Sequence, residues 1–253
     1  MNNPYILLWL EAPLQAWGFD SKFDRRDTLS FPTKSGVIGL ICCALGAGGE
    51  QKELLADFAD LDMQVMAFAL TTKNKSALLI EPRLRDFHMV GSGYDTKDLW
   101  QSLMIPRKSD GSKAVGGGTK LTYRYYIQDM AFAVVIEVPE KRLKIIKQQL
   151  KNPIWDIYLG RKCCIPTEFI FQGVFDTPHY AFQKALEIGA GKKRKAIFKV
   201  LQGEHDNGEL ITLNDVPVTF GQRKQYRDRL VTIERLDSIG DDESEKTFCQ
   251  DYT

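Results

Sequence analysis

Pro32-Thr33-Lys34-Ser35-Gly36-Val37-Ile38-Gly39-Leu40-Ile41-Cys42-Cys43-Ala44-Leu45-Gly46 is the stretch on which the fold turns. Pro32 cannot continue a helix backwards, and Thr33 or Ser35 can cap a helix start. Val37, Leu40, Ile41, Ala44 and Leu45 then recur at helical spacing as a buried stripe. Gly36, Gly39, Cys43 and Gly46 form a second stripe of small residues. Glycine inside a helix costs about 1 kcal/mol against alanine, so two on one face suggest close approach by another backbone. The first turn offers free N–H groups and the positive end of the helix dipole, with Lys34 beside them. That combination suits an anionic oxygen, phosphate above all. The alternative is a core helix packed tightly on a sheet. A nucleotide-hydrolysing P-loop is excluded, because its two glycine positions hold Thr28 and Thr33.

The chain has 253 residues, enough for one large domain or a domain with a small appendage. Its 43% hydrophobic content supplies a core. No apolar run reaches the roughly 18 residues of a membrane helix. Glu11 interrupts the first apolar run, and no basic segment precedes it, so no signal peptide is read and a cytoplasmic location is expected. Net charge is +1, but it is unevenly spread. From Glu234 onward seven acids face two bases, which leaves about +6 on residues 1–233. Residues 105–124 hold Arg107, Lys108, Lys113, Lys120 and Arg124 against Asp110. Residues 192–199 hold Lys192, Lys193, Arg194, Lys195 and Lys199 with no acid. Such clusters are either phosphate-binding footprints or solvated loops. The five cysteines include the adjacent pairs Cys42-Cys43 and Cys163-Cys164, which lack zinc-knuckle spacing and read as reduced packing residues.

Along the chain, Tyr5 to Leu10 reads as a buried strand ended by Pro13. Gln15 to Phe31 reads as a long polar and aromatic loop carrying Arg25 and Arg26. An acidic helix over Glu50–Leu61 and strands over Met63–Leu70 and Ala77–Arg85 follow. Periodicity then fails from Asp86 to Lys120, where glycines, bases, His88, Tyr94 and Trp100 suggest a projecting finger. Leu121–Val138 reads as one long strand. Glu140–Leu150 reads as a helix with Leu143, Ile145, Ile146 and Leu150 inward. Ile157-Tyr158-Leu159-Gly160-Arg161-Lys162 is a glycine turn followed by two bases, entering an apolar run over Cys163–Val174. Bare backbone beside Arg and Lys can hold a phosphodiester, and an ordinary turn is the alternative. A short helix near Tyr180–Leu186 leads to strands near Ala196–Leu201, Leu210–Leu213, Pro217–Phe220 and Arg229–Arg235. The order approaches βαββαβ, a ferredoxin-like arrangement with insertions, shared with RNA-recognition domains.

Several segments, in register, resemble the CasD family, the fifth-numbered Cas protein of the type I-E CRISPR surveillance complex called Cascade. They are Ala12-Pro13-Leu14-Gln15-Ala16-Trp17-Gly18, Arg25-Arg26-Asp27-Thr28, Pro32 to Leu40, Leu84-Arg85-Asp86-Phe87-His88 and Tyr123-Arg124-Tyr125-Tyr126-Ile127-Gln128-Asp129. Pro153 through Cys164 and Arg227-Asp228-Arg229 complete the set. The resemblance covers nearly the whole chain. It implies an α+β fold: a modified ferredoxin-like (RRM-like, RAMP) domain over residues 1–175 with a protruding thumb at about 87–122. A small C-terminal β region over 176–237 and a flexible tail over 238–253 would follow. It implies a non-catalytic subunit that grips the 5′ handle of CRISPR RNA and caps the backbone filament. Such a subunit would touch the backbone and large subunits and serve target DNA recognition indirectly. By the same resemblance Lys34, Ser35 and Gly36 would meet handle phosphates, and Arg25 and Arg26 would approach the same strand. Gly160, Arg161 and Lys162 match the family's glycine-rich turn, and Arg85, His88 and Arg124 would flank the thumb root. Lys162 stands where the family often has a second arginine, which keeps the charge but not the bidentate fork.

The reading calls for no cofactor, no metal and no membrane. In the I-C sister subtype the related subunit cuts precursor RNA. Metal-free cleavage needs a general base and an acid. His88, near Lys97, Tyr94 and Tyr123, is the only credible candidate among three histidines. Type I-E members leave cutting to another subunit, so a binder is expected, with a metal-free endoribonuclease as the alternative.

Overall fold

The computed structural model describes residues 3–18, 21, 24–72, 78–90, 95, 97–103, 107–108, 110–112 and 120–236. Its elements run β1 (Tyr5–Glu11), β2 (Leu14–Gln15), β3 (Arg25–Arg26), α1 (Lys34–Leu45), α2 (Lys52–Phe58), β4 (Met63–Thr71) and β5 (Leu78–Leu79). Then come β6 (Leu84–Val90), α3 (Leu99–Leu103), β7 (Lys120–Gln128), β8 (Ala131–Glu137), α4 (Glu140–Lys151) and β9 (Phe171–Phe175). The chain closes with α5 (Pro178–Gly191), β10 (Arg194–Gln202), β11 (Glu209–Thr219) and β12 (Gln225–Arg235).

Apolar runs in β1, β4 and β8 leave no polar face, so these strands need cover on both sides. Ile6, Leu8 and Leu10 point into the core shared with Val37 and Ile41 of α1, Leu55 and Phe58 of α2, and Ile146 of α4. Leu7 and Trp9 point the other way, onto Ala181, Phe182 and Ala185 of α5. The main sheet is antiparallel, ordered β11-β12-β10-β4-β8-β1-β9, with β5 on β4. Its centre follows the connection β1-α1-β4-β8-α4-β9. The second sheet is a narrow ribbon ordered β2-β7-β3, with β6 on β7. The ribbon belongs to the excursion between β4 and β8 and to the loop before α1.

Several expectations are revised. The predicted long strand over Leu121–Val138 breaks at Asp129, whose φ is 50°, so β7 and β8 serve different sheets. The predicted loop over Gln15–Phe31 contains β3 and contributes to the ribbon. Ile145, expected inward, is exposed, while Ile146 and Leu150 are buried. The helix predicted over Tyr180–Leu186 runs the full length of α5, started by Thr177, whose hydroxyl accepts from Tyr180 N. The C-terminal strands do not stand apart as a small β region. The pairing of β10 with β4 makes them a continuation of the main sheet. The expected tail over 238–253 and much of the thumb at 87–122 lie outside the described residues. Among those described, no helix is long and apolar enough to cross a membrane.

Candidate nucleic-acid interface

Of the two caps the sequence offers, Thr33 is the one that starts α1, its hydroxyl accepting from Gly36 N at 3.1 Å, and Gly46 closes the helix in the left-handed conformation. The anion at this helix start, however, is the chain's own. Asp215 Oδ2 accepts from Lys34 N at 2.7 Å, and the same carboxylate holds Arg229 through Nε at 2.7 Å and Nη2 at 2.9 Å. The Lys34 side chain is fully buried and turns inward. Its Nζ donates to Ala59 O at 3.0 Å and Leu61 O at 2.5 Å, the carbonyls that end α2. A cation there completes a helix C-terminus. The expectation that Lys34 meets handle phosphates is therefore corrected: the ammonium locks the α1 start to the α2 end. Gly36 is likewise a packing glycine, because a Cβ there would come within 2.9 Å of the Trp17 ring. Ser35 remains half-exposed, its hydroxyl 3.4 Å from Thr33 Oγ1.

Burial, and then the neighbouring Arg229 charge, pull Lys34 down to about 8. An unfolded lysine holds its proton to about 10.5. Unfolding therefore takes up a proton between these values, and the Lys34 contribution to stability rises with pH across that window. Wild type should gain stability against Lys34→Met from about pH 8 to pH 10.5. Urea melts at three pH values check this, and parallel curves would refute it.

The glycine turn is also built for packing. Gly160 has φ +93°, and a Cβ would fall 1.6 Å from Ala16 O. Only glycine admits so close an approach. Ala16 N donates to Leu159 O at 3.1 Å, which fixes the turn against the N-terminal loop. Arg161 then reaches across to the ribbon. Its Nη2 donates to Arg26 O at 2.8 Å, its Nη1 to Tyr125 O at 3.1 Å, and its guanidinium lies 4.5 Å from the Tyr126 ring centroid. Arg161 thus pins β3 beside β7, while Lys162 next to it faces solvent.

The ribbon separates the remaining predicted residues by parity. Antiparallel partners share a face, and β6 pairs Arg85 with Tyr125, Asp86 with Arg124, Phe87 with Tyr123 and His88 with Thr122. One face holds Asp86, His88, Thr122 and Arg124, with Arg26 beside Arg124 on β3. There His88 Nε2 sits 2.8 Å from Asp86 Oδ2, and Arg124 Nε donates to Thr122 Oγ1 at 3.3 Å. The other face carries Arg25, Arg85, Phe87, Tyr123 and Tyr125. The predicted trio Arg85, His88 and Arg124 is therefore brought to one ribbon but split between its faces. Sequence reading missed this, although the alternation Arg85-Asp86-Phe87-His88-Met89 carries the signal.

The basic run at 192–199 is largely internal wiring. Arg194 binds Glu11 Oε1 through Nε at 3.1 Å and Nη2 at 2.8 Å, and Asp129 O through Nη1 at 2.7 Å. Lys192 contacts Glu168, and Lys199 lies 5.7 Å from the Phe182 ring centroid.

The family described as CRISPR-associated protein (Cas_Cas5) matches residues 5–232. A curated relative from Escherichia coli (strain K12), the CRISPR system Cascade subunit CasD, is 29% identical over 179 residues, covering 67% of this chain and 70% of the relative. A chain from a solved CRISPR RNA-guided surveillance complex has the same fold, with TM-score 0.65 at 24% identity over 91% of this chain and 89% of that one. A second solved structure, described as a Cas protein, gives TM-score 0.55 at 26% identity over 92% and 95%.

Proposed function

Because the chain belongs to the CRISPR-associated Cas5 family, we propose that it is a non-catalytic subunit of a type I-E Cascade complex. In this reading it grips the 5′ handle of CRISPR RNA, caps the backbone filament and contacts the backbone and large subunits. Its core is a ferredoxin-like RAMP domain, supported by the βαββαβ connection and the spatial order β4-β8-β1-β9. The thumb is the excursion that carries the ribbon. The observation that carries the reading is that one ribbon gathers Arg25 and Arg85 on one face and Arg26 and Arg124 on the other, with exposed Lys162 on the adjoining turn. Gly160 and Arg161 hold that surface in shape. Handle phosphates are placed here rather than at Lys34.

Pull-down from the host with RNA sequencing tests it. Cascade subunits should co-purify with RNAs that share one repeat-derived 5′ segment. RNAs with no common start would refute the proposal. Lys162→Glu should reduce RNA retention and flatten the salt dependence by about one phosphate contact.

The His88–Asp86 pair at 2.8 Å keeps the endoribonuclease alternative open to test. Against it, Tyr123 lies on the opposite face of the ribbon from His88, so this acid–base pair does not meet. Repeat RNA incubated with the chain in EDTA should stay intact. Cleavage lost in His88→Ala would favour the alternative.

A further inference from the structure

A ribbon exposed on one side normally turns polar side chains outward. Here the outward face carries Arg25, Arg85, Phe87, Met89, Leu121 and Tyr123, all exposed. Phe87 is 53% and Met89 58% exposed. The polar residues Asp86, His88, Thr122 and Arg124 take the more buried side. The alternation is inverted, and contiguous exposed apolar surface of this kind marks a partner.

The chemistry of the face selects that partner. Phe87 and Tyr123 stand with ring centroids 5.4 Å apart. Arg85 lies 5.6 Å from the Tyr123 ring, and Arg25 lies 5.0 Å from the Tyr125 ring. Guanidinium planes therefore alternate with aromatic rings across the surface. Asp27 ion-pairs Arg25 at 3.2 Å at the margin, whereas Asp86 points to the other side. Rings offer a stacking surface to any base, and arginines add attraction to a polyanion. Aromatic, Met and Arg side chains also suit protein interfaces, and it is the positive balance of Arg25 and Arg85 against the marginal Asp27 that favours a polyanion here.

We propose that this face is a stacking platform for unpaired bases of the RNA, with Phe87 and Tyr123 as its centre and Arg25 and Arg85 as its flanks. The proposal rests on the RNA-binding reading above and adds residues and a mode of recognition to it. Stacking is tolerant of sequence, so the platform orders the strand without reading it. Phosphate contacts fall to the flanking Arg25 and Arg85, to Arg26 and Arg124 at the ribbon's other face, and to Lys162, not to the two rings.

The test uses the full chain and fluorescein-labelled single-stranded repeat RNA, read by anisotropy across a salt series. Phe87→Ala and Tyr123→Ala should each weaken binding about tenfold. The slope of affinity against salt should stay at the wild-type value, because no phosphate contact is lost. Tyr123→Phe should restore affinity, and RNA with abasic sites in the handle should bind the wild type as weakly as normal RNA binds the alanine variants. Unchanged affinity in both alanine variants overturns the platform while leaving the RNA-binding reading intact. So does retained RNA affinity with loss of co-purifying subunits, which would make the face a protein contact. A wild-type chain that retains no RNA, alone or in pull-down, overturns both.

Discussion

Asp215→Ala should be among the most destabilising substitutions in the chain, lowering stability by about 3–5 kcal/mol. The carboxylate is 2% exposed and answers three donors: Lys34 N, Arg229 Nε and Arg229 Nη2. Its removal strands the Arg229 guanidinium, whose side chain is only 7% exposed, and leaves the α1 start without its anion. A buried charge that loses its partner costs far more than the pair contributes when whole. Against a usual total of about 5–15 kcal/mol, that is a large fraction. Thermal melts followed by circular dichroism should show a drop of about 10 °C or more. The double variant Asp215→Ala, Arg229→Met should recover much of the loss, since no orphaned charge then remains. A single variant that melts within 2 °C of wild type would refute the account.

Asp215 also shows why part of this site was hidden. The expected strands Leu210–Leu213 and Pro217–Phe220 leave Asn214-Asp215-Val216 as a break between them. The structure instead makes one strand, β11, at the sheet edge, where proline is tolerated. Its register shifts between Asn214 and Val216, so Asp215 is the bulged residue. A bulge re-aims a side chain, and here it sends a carboxylate to a helix start 181 residues earlier in sequence. Local pattern cannot report such a contact. What was legible obeyed local rules: the Thr33 cap, the apolar stripe of α1, the buried runs of β1 and β4, and the amphipathic α4. The helix start does hold an anionic oxygen, but it is the chain's own carboxylate and not the phosphate expected, and composition gives no means to tell the two apart. The ribbon failed for a related reason. Its outward parity is aromatic and its inward parity polar, so a search for buried alternation stops at Arg85 and calls the rest a finger.

Gly160→Ala should match or exceed that effect and should also abolish RNA retention. The added methyl would stand 1.6 Å from Ala16 O and 2.7 Å from Ala16 C, both backbone atoms that no side-chain rotation can clear. The left-handed φ of +93° adds strain for any L side chain. The turn must therefore move, yet it is tied on each side. Ala16 N donates to Leu159 O, Leu159 N to Cys164 O at 2.8 Å, and Cys164 N to Arg161 O at 2.8 Å. Each such bond lost costs about 1 kcal/mol, beyond the strain itself. A displaced turn also withdraws Arg161 from Arg26 O and Tyr125 O, which frees β3 from β7 and scatters the cations of the ribbon. Gly203→Ala is the control. Gly203 has a similar φ of +89°, but nothing lies within 4 Å of its Cβ position. It should cost about 1 kcal/mol and leave RNA binding untouched. If both variants melt together and both retain RNA, the close approach at Ala16 is not what holds the turn, and the link from that turn to the ribbon fails with it.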